Sequence, residues 1–514
     1  MTPASLPPIV EQMLQPTFYP HSVVEPIRLL QTHISFILLT GDYVYKIKKP
    51  VNFGFLDYSS LEKRQHFCQQ ELEMNQRGAG EIYLEVLPIS QRGEEFVLGS
   101  SENIVEYALK MRQFPQENLW TSLFDRGELS DSHLEELGRT IARFHAESPT
   151  DEYIQSFGLP DRIREAIEDN YRATELYIGR VQTRQQFEET KAFTDRFFRE
   201  NRDLFDRRIA AGKIRACHGD LHLKNIATWH DKIILFDCIE FNEPFRLVDV
   251  MYDVAFVVMD LEARDRSDLA NIFLNTYVEE TGDWEGLQVL PLYLCRQAYV
   301  RAKVTSFLLD DPGISEEEKQ KASQSAADYY HLAWQYARPR QGRFIVMSGL
   351  SGVGKSTVAG WVARRLGAAR IRSDAVRKHL AGIPLDRRGE AAIYSEFMTQ
   401  QTYDRLLELG QLLAAKGWSV ILDAKFDRSV WRKRAIELAT AANLPIRMLH
   451  CQAPPEVLRD RLNRRTGDIT DATADLLDSQ LAAAEPFDES ERNYAIAIDT
   501  TQPLAAQLES LLSL

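Results

Sequence analysis

The sequence predicts two successive regions, an α+β region of two lobes followed by an α/β region with a parallel sheet. Three observations predict it. β-rich runs crowd residues up to about 115, a helical period takes over from Ser130, and an apolar strand pattern at Phe344 leads through a glycine-rich loop into a helix pattern. At 514 residues the chain is too long for one ordinary core.

The first β signal is ISFILLTGDYVYKIKKP, two β-rich runs meeting at Gly41-Asp42, a pair suited to a tight turn. Side chains alternate along a strand, so the second arm puts Lys46 and Lys48 on one face. A helix follows through LEKRQHFCQQELEMNQR, then strands at IYLEVLPIS, EEFVLG and VEYALKM. Beyond Ser130, residues Leu134, Leu137, Ile141 and Phe144 fall three, four and three apart, as on one helix face, and this manner continues to about Gly212. Between Ile214 and Phe241 the pattern is a loop, HGDLHLKN, a short bridge, and an apolar strand, KIILFD, ending on Asp237. A helical run ending HLAWQYA then gives way to RPRQGR. The expected division is therefore 1–336, with a small lobe to about 115 and a large lobe from about 116, a linker at 337–342, and a second domain at 343–514.

Composition removes several classes of function. With 44% hydrophobic and 26% charged residues and no biased tract, the chain is expected to be globular. No apolar stretch approaches the ~18 residues that span a bilayer, and the start lacks the basic-then-apolar order of a secretory signal, so a cytoplasmic protein without a membrane partner is expected. Five widely spaced cysteines with no C-x-x-C pair fit reduced thiols. A formal charge of −14 argues against a broad nucleic-acid surface, which needs lysine and arginine, although a local basic groove remains compatible with it.

Two stretches carry chemistry. In CHGDLHLKN, residues 217–225, the loop acid Asp220 is a candidate base for a hydroxyl, and Asn225 and the strand-end Asp237 are candidate magnesium ligands. HGDLHLKN followed by ILFDCIEF resembles the catalytic loop and metal-binding strand of the aminoglycoside phosphotransferase and choline kinase-like family, relatives of protein kinases. The resemblance spans about residues 30 to 335 and implies a bilobal, protein-kinase-like fold. It also implies Lys46 as the donor-phosphate lysine, Glu71 as its ion-pair partner, His218 as organiser of the loop, and EYALKMRQFP as the hinge on the adenine side. Lys48 shares the strand face and stays an alternative to Lys46, and no G-x-G-x-x-G loop covers the phosphates. Asp249 and Asp253 read as structural supports of the loop or of the helix after it. Cys217, His218, His222, His230 and Cys238 are alternatively a zinc cluster.

The second stretch, GLSGVGKST, has the form G-x-x-x-x-G-K-[ST] between strand and helix patterns, so its amides and helix N-terminus are fit to cradle phosphate. Gly349, Ser351, Gly352, Gly354, Lys355, Ser356 and Thr357 form the candidate nucleotide loop; Lys355 contacts phosphates and Ser356 places its hydroxyl on magnesium. Asp374 and Arg377, three apart at a helix start, are candidates to deprotonate an acceptor and steady the phosphoryl group. Asp423, ending WSVILD, stands where a second magnesium-side acid is required. Arg461, Arg464 and Arg465 crowd one side of a later helix, as a lid over ATP requires. The region resembles the P-loop small kinases, a group that includes gluconate kinases, polynucleotide 5′-kinase domains, chloramphenicol phosphotransferase and zeta-type toxins. The SDAVR stretch is similar to the polynucleotide kinase acceptor site, and DLLDSQLAAAEP to the tail of gluconate kinases.

Together the two resemblances imply a fusion of two kinases, each using ATP and Mg2+ to phosphorylate a hydroxyl of a small-molecule acceptor. A 5′-hydroxyl nucleic acid is the less favoured acceptor for the second half. A further alternative makes one half a regulatory module that binds ATP without turnover.

Overall fold

In the computed structural model, which describes residues 6–54, 56–464, 469, 475 and 477–512, the Gly41-Asp42 turn joins two strands of a six-stranded antiparallel sheet. Its order is β1-β2-β3-β6-β4-β5, with β1 Arg28–Gln31, β2 Ser35–Leu39, β3 Tyr43–Lys48, β4 Tyr83–Arg92, β5 Glu95–Leu98 and β6 Ile104–Arg112. Gly41 holds φ 110°, and a Cβ there would meet Val24 Cγ2 at 2.6 Å, so only glycine suits the turn. Alternation along β3 sends Tyr45 and Ile47 into a core with Val10, Met13, Leu38 and Ile89. Each such large side chain contributes about 1.5–3 kcal/mol on burial.

Lys46 and Lys48 take the opposite face, towards the helix Leu61–Ala79. Ser60 caps that helix through its hydroxyl, which accepts from the Lys63 amide. Leu72, Ala79, Tyr83 and Leu109 close a second core with Ala227 and Ile234. Near the helix end, a Cβ on Gly78 would sit 2.6 Å from the Leu235 carbonyl oxygen, so glycine permits the helix to touch the hairpin of β8, Ile226–Trp229, and β9, Lys232–Leu235. The expected strand to Asp237 is thus shorter: β9 stops at Leu235, and Asp237 turns the chain with φ 62°. A two-stranded ribbon pairs β7, Ile214–Ala216, with β10, Leu247–Asp249.

These elements belong to one compact unit, Met1–Leu129 with Arg143–Arg164 and Arg202–Val257. A second unit comprises Ser130–Ala142, Glu165–Asn201 and Val258–Leu514. Helical residues before 337 therefore fold with the region after it. Leu134, Leu137, Ile141 and Phe144 are all buried, as their spacing requires. The helices Leu290–Phe307 and Glu316–Ala337 pack together, and a Ser315–Glu318 capping box starts the second.

The second unit also holds a five-stranded parallel sheet, order β12-β13-β11-β14-β15, with β11 Arg343–Ser348, β12 Ala369–Arg372, β13 Ser419–Asp423, β14 Ile446–Gln452 and β15 Ala495–Asp499. Helices cover both faces of a parallel sheet, so its central strands β11 and β13 are largely apolar and buried. Ile345, Met347, Ile421 and Leu449 pack with Val358 and Val362 of the helix Lys355–Leu366. Gly410, in the helix Glu396–Ala415, lies against Phe344 and Leu422.

Among the described residues no strand lies beyond the edge strand β12; the helix Ser267–Thr281 lies there instead. Asn271 and Asn275 both donate to the Ala368 carbonyl oxygen at 3.0 Å, and the Arg370 amide donates to Asn275 Oδ1 at 2.7 Å. Glu279, one turn on, pairs with Arg372 and through its carbonyl accepts from His379.

All five cysteines are buried and free. Among the described residues, no helix is long and apolar enough to cross a membrane.

Candidate active sites

The first site lies where the loop before β8 meets β3 and the helix Leu61–Ala79. Gly219, at φ 89°, brings the loop so close to the Phe245 carbonyl oxygen that a Cβ would stand 2.7 Å from it. Asp253 fixes the loop from below: its two oxygens accept the His218 amide at 2.7 Å and the Gly219 amide at 2.8 Å, and His145 Nε2 lies 3.2 Å away. Asp249 pairs with Arg208 and accepts the Met251 amide, so both acids sit in supporting roles.

His218 is buried, which pushes its imidazole towards the neutral form. A neutral ring suits its bonds: Nε2 donates to the Phe236 carbonyl oxygen at 2.9 Å, and Nδ1 accepts the Asp220 amide at 3.3 Å. This single side chain ties the Asp220 loop to the Asp237 turn. Asp220 is 37% exposed at its side chain, with His222 Nε2 3.3 Å from Oδ2. Asn225 Nδ2 donates to the Asp220 carbonyl at 2.9 Å and to Oδ2 at 3.3 Å, which leaves the Asn225 oxygen as the atom for a cation.

Lys46 Nζ donates to Glu71 Oε1 at 2.7 Å and to Asp237 Oδ1 at 2.9 Å. Lys48 donates to the other Glu71 oxygen at 2.6 Å and also pairs with Glu240, which accepts from Tyr58 as well. The two lysines differ in access. The Lys48 side chain is 1% exposed, whereas Lys46 is 12% exposed and its partner Asp237 50%. Burial would raise the Glu71 carboxyl, but the two ammonium groups outweigh it and hold the acid at about 2.

Cys217, His218, His222, His230 and Cys238 do not form the zinc cluster that the sequence left open. Among the described residues, one group brings possible ligands together: His145, Cys217 and Asp253. Asp253 is spent on two loop amides, and burial pushes the Cys217 thiol up, away from the thiolate that zinc takes.

The second site is the mouth of the parallel sheet. Gly349, Gly352 and Gly354 all have positive φ, and a Cβ on Gly352 would lie 2.8 Å from Leu462 Cγ. These glycines let the loop turn tightly onto the helix Lys355–Leu366, whose N-terminus points its free amides at the same space. A cleft of about 1560 Å³ is lined by Ser351, Gly352, Gly354, Lys355, Ser356, Thr357, Asp374, Arg377, Asp423, Arg461 and Arg464, among others. Gly349 borders a smaller cavity of about 660 Å³, beside His450 and Phe487.

Lys355 Nζ donates to the Leu350 carbonyl oxygen at 2.8 Å. Burial pushes its ammonium down, against the pull of Asp423. Asp423 Oδ2 is buried with no hydrogen-bond partner among the described residues, a costly state for a carboxylate unless a cation or its water takes that oxygen. The glycine cradle, the lysine and the orphaned oxygen fit a nucleotide with its magnesium.

The arginines divide. Arg461 is tied down, donating to the carbonyls of Val353 and Thr500 and to the Thr500 hydroxyl, while Arg464 is exposed and pairs with Asp460. Arg465 lies outside the described residues. Arg377 is buried, donating through Nη1 to the Ile393 carbonyl at 2.7 Å and to Thr399 Oγ1 at 3.3 Å.

Sequence reading missed Glu240 and Tyr58 in the first site, and Tyr394, Arg388 and Arg428 in the wall of the second. Glu240 had a signal, an acid inside the apolar run DCIEF. Tyr58 had none, since the carboxylate that accepts from its hydroxyl is 182 positions away, although Lys48, ten positions away, also donates to it.

A model of the phosphotransferase enzyme family matches residues 95–290, and an AAA domain model matches residues 344–487. The chain joins these two families. It is a protein-kinase-like region followed by a P-loop kinase-like region. Lys46 and Glu71 precede the first match. An uncharacterized protein of Mycobacterium tuberculosis is 29% identical over 477 residues, 92% of either chain. A gluconokinase of Gluconobacter oxydans is 32% identical over 152 residues, covering 28% of this chain and 75% of its own. A choline/ethanolamine kinase family protein from Mesorhizobium loti has a solved structure that is 12% identical, with TM-score 0.37, over 64% of this chain and 99% of that one.

Proposed function

We propose that the chain is a bifunctional ATP-dependent phosphotransferase, with one nucleotide site in the phosphotransferase-family region and another in the P-loop region, the two joined in sequence by the 337–342 linker. The observation that carries this reading is that each compact unit closes its own set of phosphate-handling groups: Lys46, Glu71, Asp220, Asn225 and Asp237 in one, Lys355, Ser356 and Asp423 in the other.

In the first site, Lys46 binds the donor phosphates, held in place by Glu71, and Asn225 and Asp237 hold magnesium through oxygen, the donor this ion prefers. Asp220 accepts the proton of the attacking hydroxyl, and His222 and Asn225 orient its carboxylate. In the second, the loop amides and Lys355 bind the β and γ phosphates, with Ser356 and Asp423 on the magnesium side. Asp374 takes the acceptor proton and Arg377 shapes the acceptor wall. Arg461 fastens the loop base, and Arg464 supplies exposed positive charge at the nucleotide end. In both sites, bound magnesium supplies neutralisation of the transferring phosphoryl group. The acceptors are small hydroxyl compounds, a reading that the gluconokinase relative supports for the P-loop region. Dependence on ATP and five free thiols go with a cytoplasmic setting.

The test is transfer of labelled γ-phosphate from ATP into a fractionated metabolite extract, comparing wild type with Asp220→Ala and Lys355→Ala. Loss of a different product in each variant establishes two kinases. If Asp220→Ala loses nothing while Lys355→Ala loses everything, the first site is not catalytic.

A further inference from the structure

The protein is acidic overall, yet eight basic and five acidic side chains line the cleft of the P-loop region. Three of the basic groups, Lys355, Arg461 and Arg464, belong to the nucleotide end. Of the remainder, Arg372 is paired with Glu279 at 3.4 Å and Lys425 with Asp427 at 3.1 Å. Arg377, Arg388 and Arg428 are left, and none has a carboxylate within ion-pair distance among the described residues.

Arg377 is the decisive one. It is only 8% exposed, its Nη1 is satisfied by a carbonyl and a hydroxyl that carry no charge, and the Asp374 carboxylate acts on it through space without forming an ion pair with it among the described residues. Its Nε has no partner among the described residues, and its guanidinium lies over the Tyr394 ring at 5.2 Å. A buried guanidinium with an unspent donor is unfavourable unless something anionic completes it. It stands one helical turn from Asp374, on the helix Ser373–Leu380. Arg388 and Arg428 also line the cleft; both are exposed, and neither guanidinium has a hydrogen-bond partner among the described residues. A neutral polyol would use none of this charge.

We propose that the acceptor of the P-loop region is a small organic anion, in which a carboxylate or phosphate group separate from the reacting hydroxyl is held by Arg377, Arg388 and Arg428. The proposal rests on the kinase reading given above. The hydroxyl oxygen forms a bond to the γ phosphorus, its proton passes to Asp374, and the bond from that phosphorus to the β–γ bridging oxygen breaks, ADP leaving with the electron pair. Planar guanidinium forks suit carboxylate and phosphate alike.

The experiment uses the full chain carrying Asp220→Ala, which silences the first site, with labelled ATP and magnesium. An ultrafiltered metabolite extract is split by anion exchange at neutral pH into retained and unretained pools. D-gluconate against D-glucitol serves as the carboxylate arm, glucose 6-phosphate against glucose as the phosphate arm, and a 5′-hydroxyl oligonucleotide as the polymer arm. The expected result is label that depends on Lys355 in the retained pool and absent from the unretained pool. The double variant Arg388→Ala, Arg428→Ala is expected to raise the acceptor KM about tenfold or more above any change in the KM for ATP, since each charged hydrogen bond lost is worth a factor of that order. Label from the unretained pool, or from the oligonucleotide alone, overturns the proposal. If neither pool nor any arm is labelled while Lys355-dependent ATP binding persists, the kinase reading itself fails, an outcome distinct from a neutral acceptor.

Discussion

Lys46 Nζ rests 2.9 Å from Asp237 Oδ1, although 191 positions separate them in the chain. The lysine is thereby parked on the carboxylate that is proposed to hold magnesium, and a nucleotide arriving with its cation competes for both groups. Lys46→Met is expected to lower transfer by the first site about 10²–10³-fold, the scale of losing one preorganised charge at a developing anion. Steady-state assay of the Asp220-dependent product checks it; an equal loss in the second product would mean the effect is global.

Lys48 makes the contrasting case. It is enclosed between Glu71 and Glu240, so Lys48→Met leaves two buried carboxylates short of a cation. Breaking a buried pair in this way costs about 3–5 kcal/mol. Urea unfolding is expected to show that loss, with the Lys46-dependent chemistry reduced far less than in Lys46→Met.

The same network sets a pH limit. Glu71 is held at about 2 against an ordinary 4.5, so its ionised form stabilises the fold fully above pH 4.5, and that stabilisation disappears as pH falls from about 4.5 to about 2. Circular dichroism across this window is expected to show an acid transition in wild type. In Glu71→Gln the contribution is absent at every pH, and the transition loses steepness there.

Asp423→Asn removes the charge from an oxygen that has no hydrogen-bond partner among the described residues. Transfer by the P-loop region is expected to fall about 10²-fold or more and to need more magnesium for half-maximal rate. A magnesium titration of the Lys355-dependent product measures both.

Asn275→Leu strips the Arg370 amide of its acceptor and the Ala368 carbonyl of one donor. Unpaired buried groups of this kind cost about 1–3 kcal/mol each. A lower thermal midpoint is expected, and an unchanged one would show that water fills the gap.

What could be read from the sequence was local. Alternation fixed Lys46 and Lys48 on one strand face, and the 220–225 and 349–356 spacings announced two loops, because in each the chemistry lies within a few residues. What could not be read was the pairing across distance: Tyr58 with Glu240, and Asn275 with Arg370. Nothing in KIILFD signals the left-handed turn at Asp237, where no glycine stands, so the strand was read two residues too long. Arg461 was read with the lid because charge and helical spacing alone cannot reveal that Val353 and Thr500 had claimed it.

The asparagine pair beside β12 has a bearing on where the chain can be cut. Carboxamides from a helix inside the phosphotransferase-family match stand where a neighbouring strand would, on a sheet that belongs to the P-loop family. A gene split at the linker would leave that edge bare, and bare edges recruit one another into aggregates. A chain cut there is therefore expected to lose solubility before it loses the groups of either site, because Asn271 and Asn275 go with one half and the β12 edge they cover goes with the other.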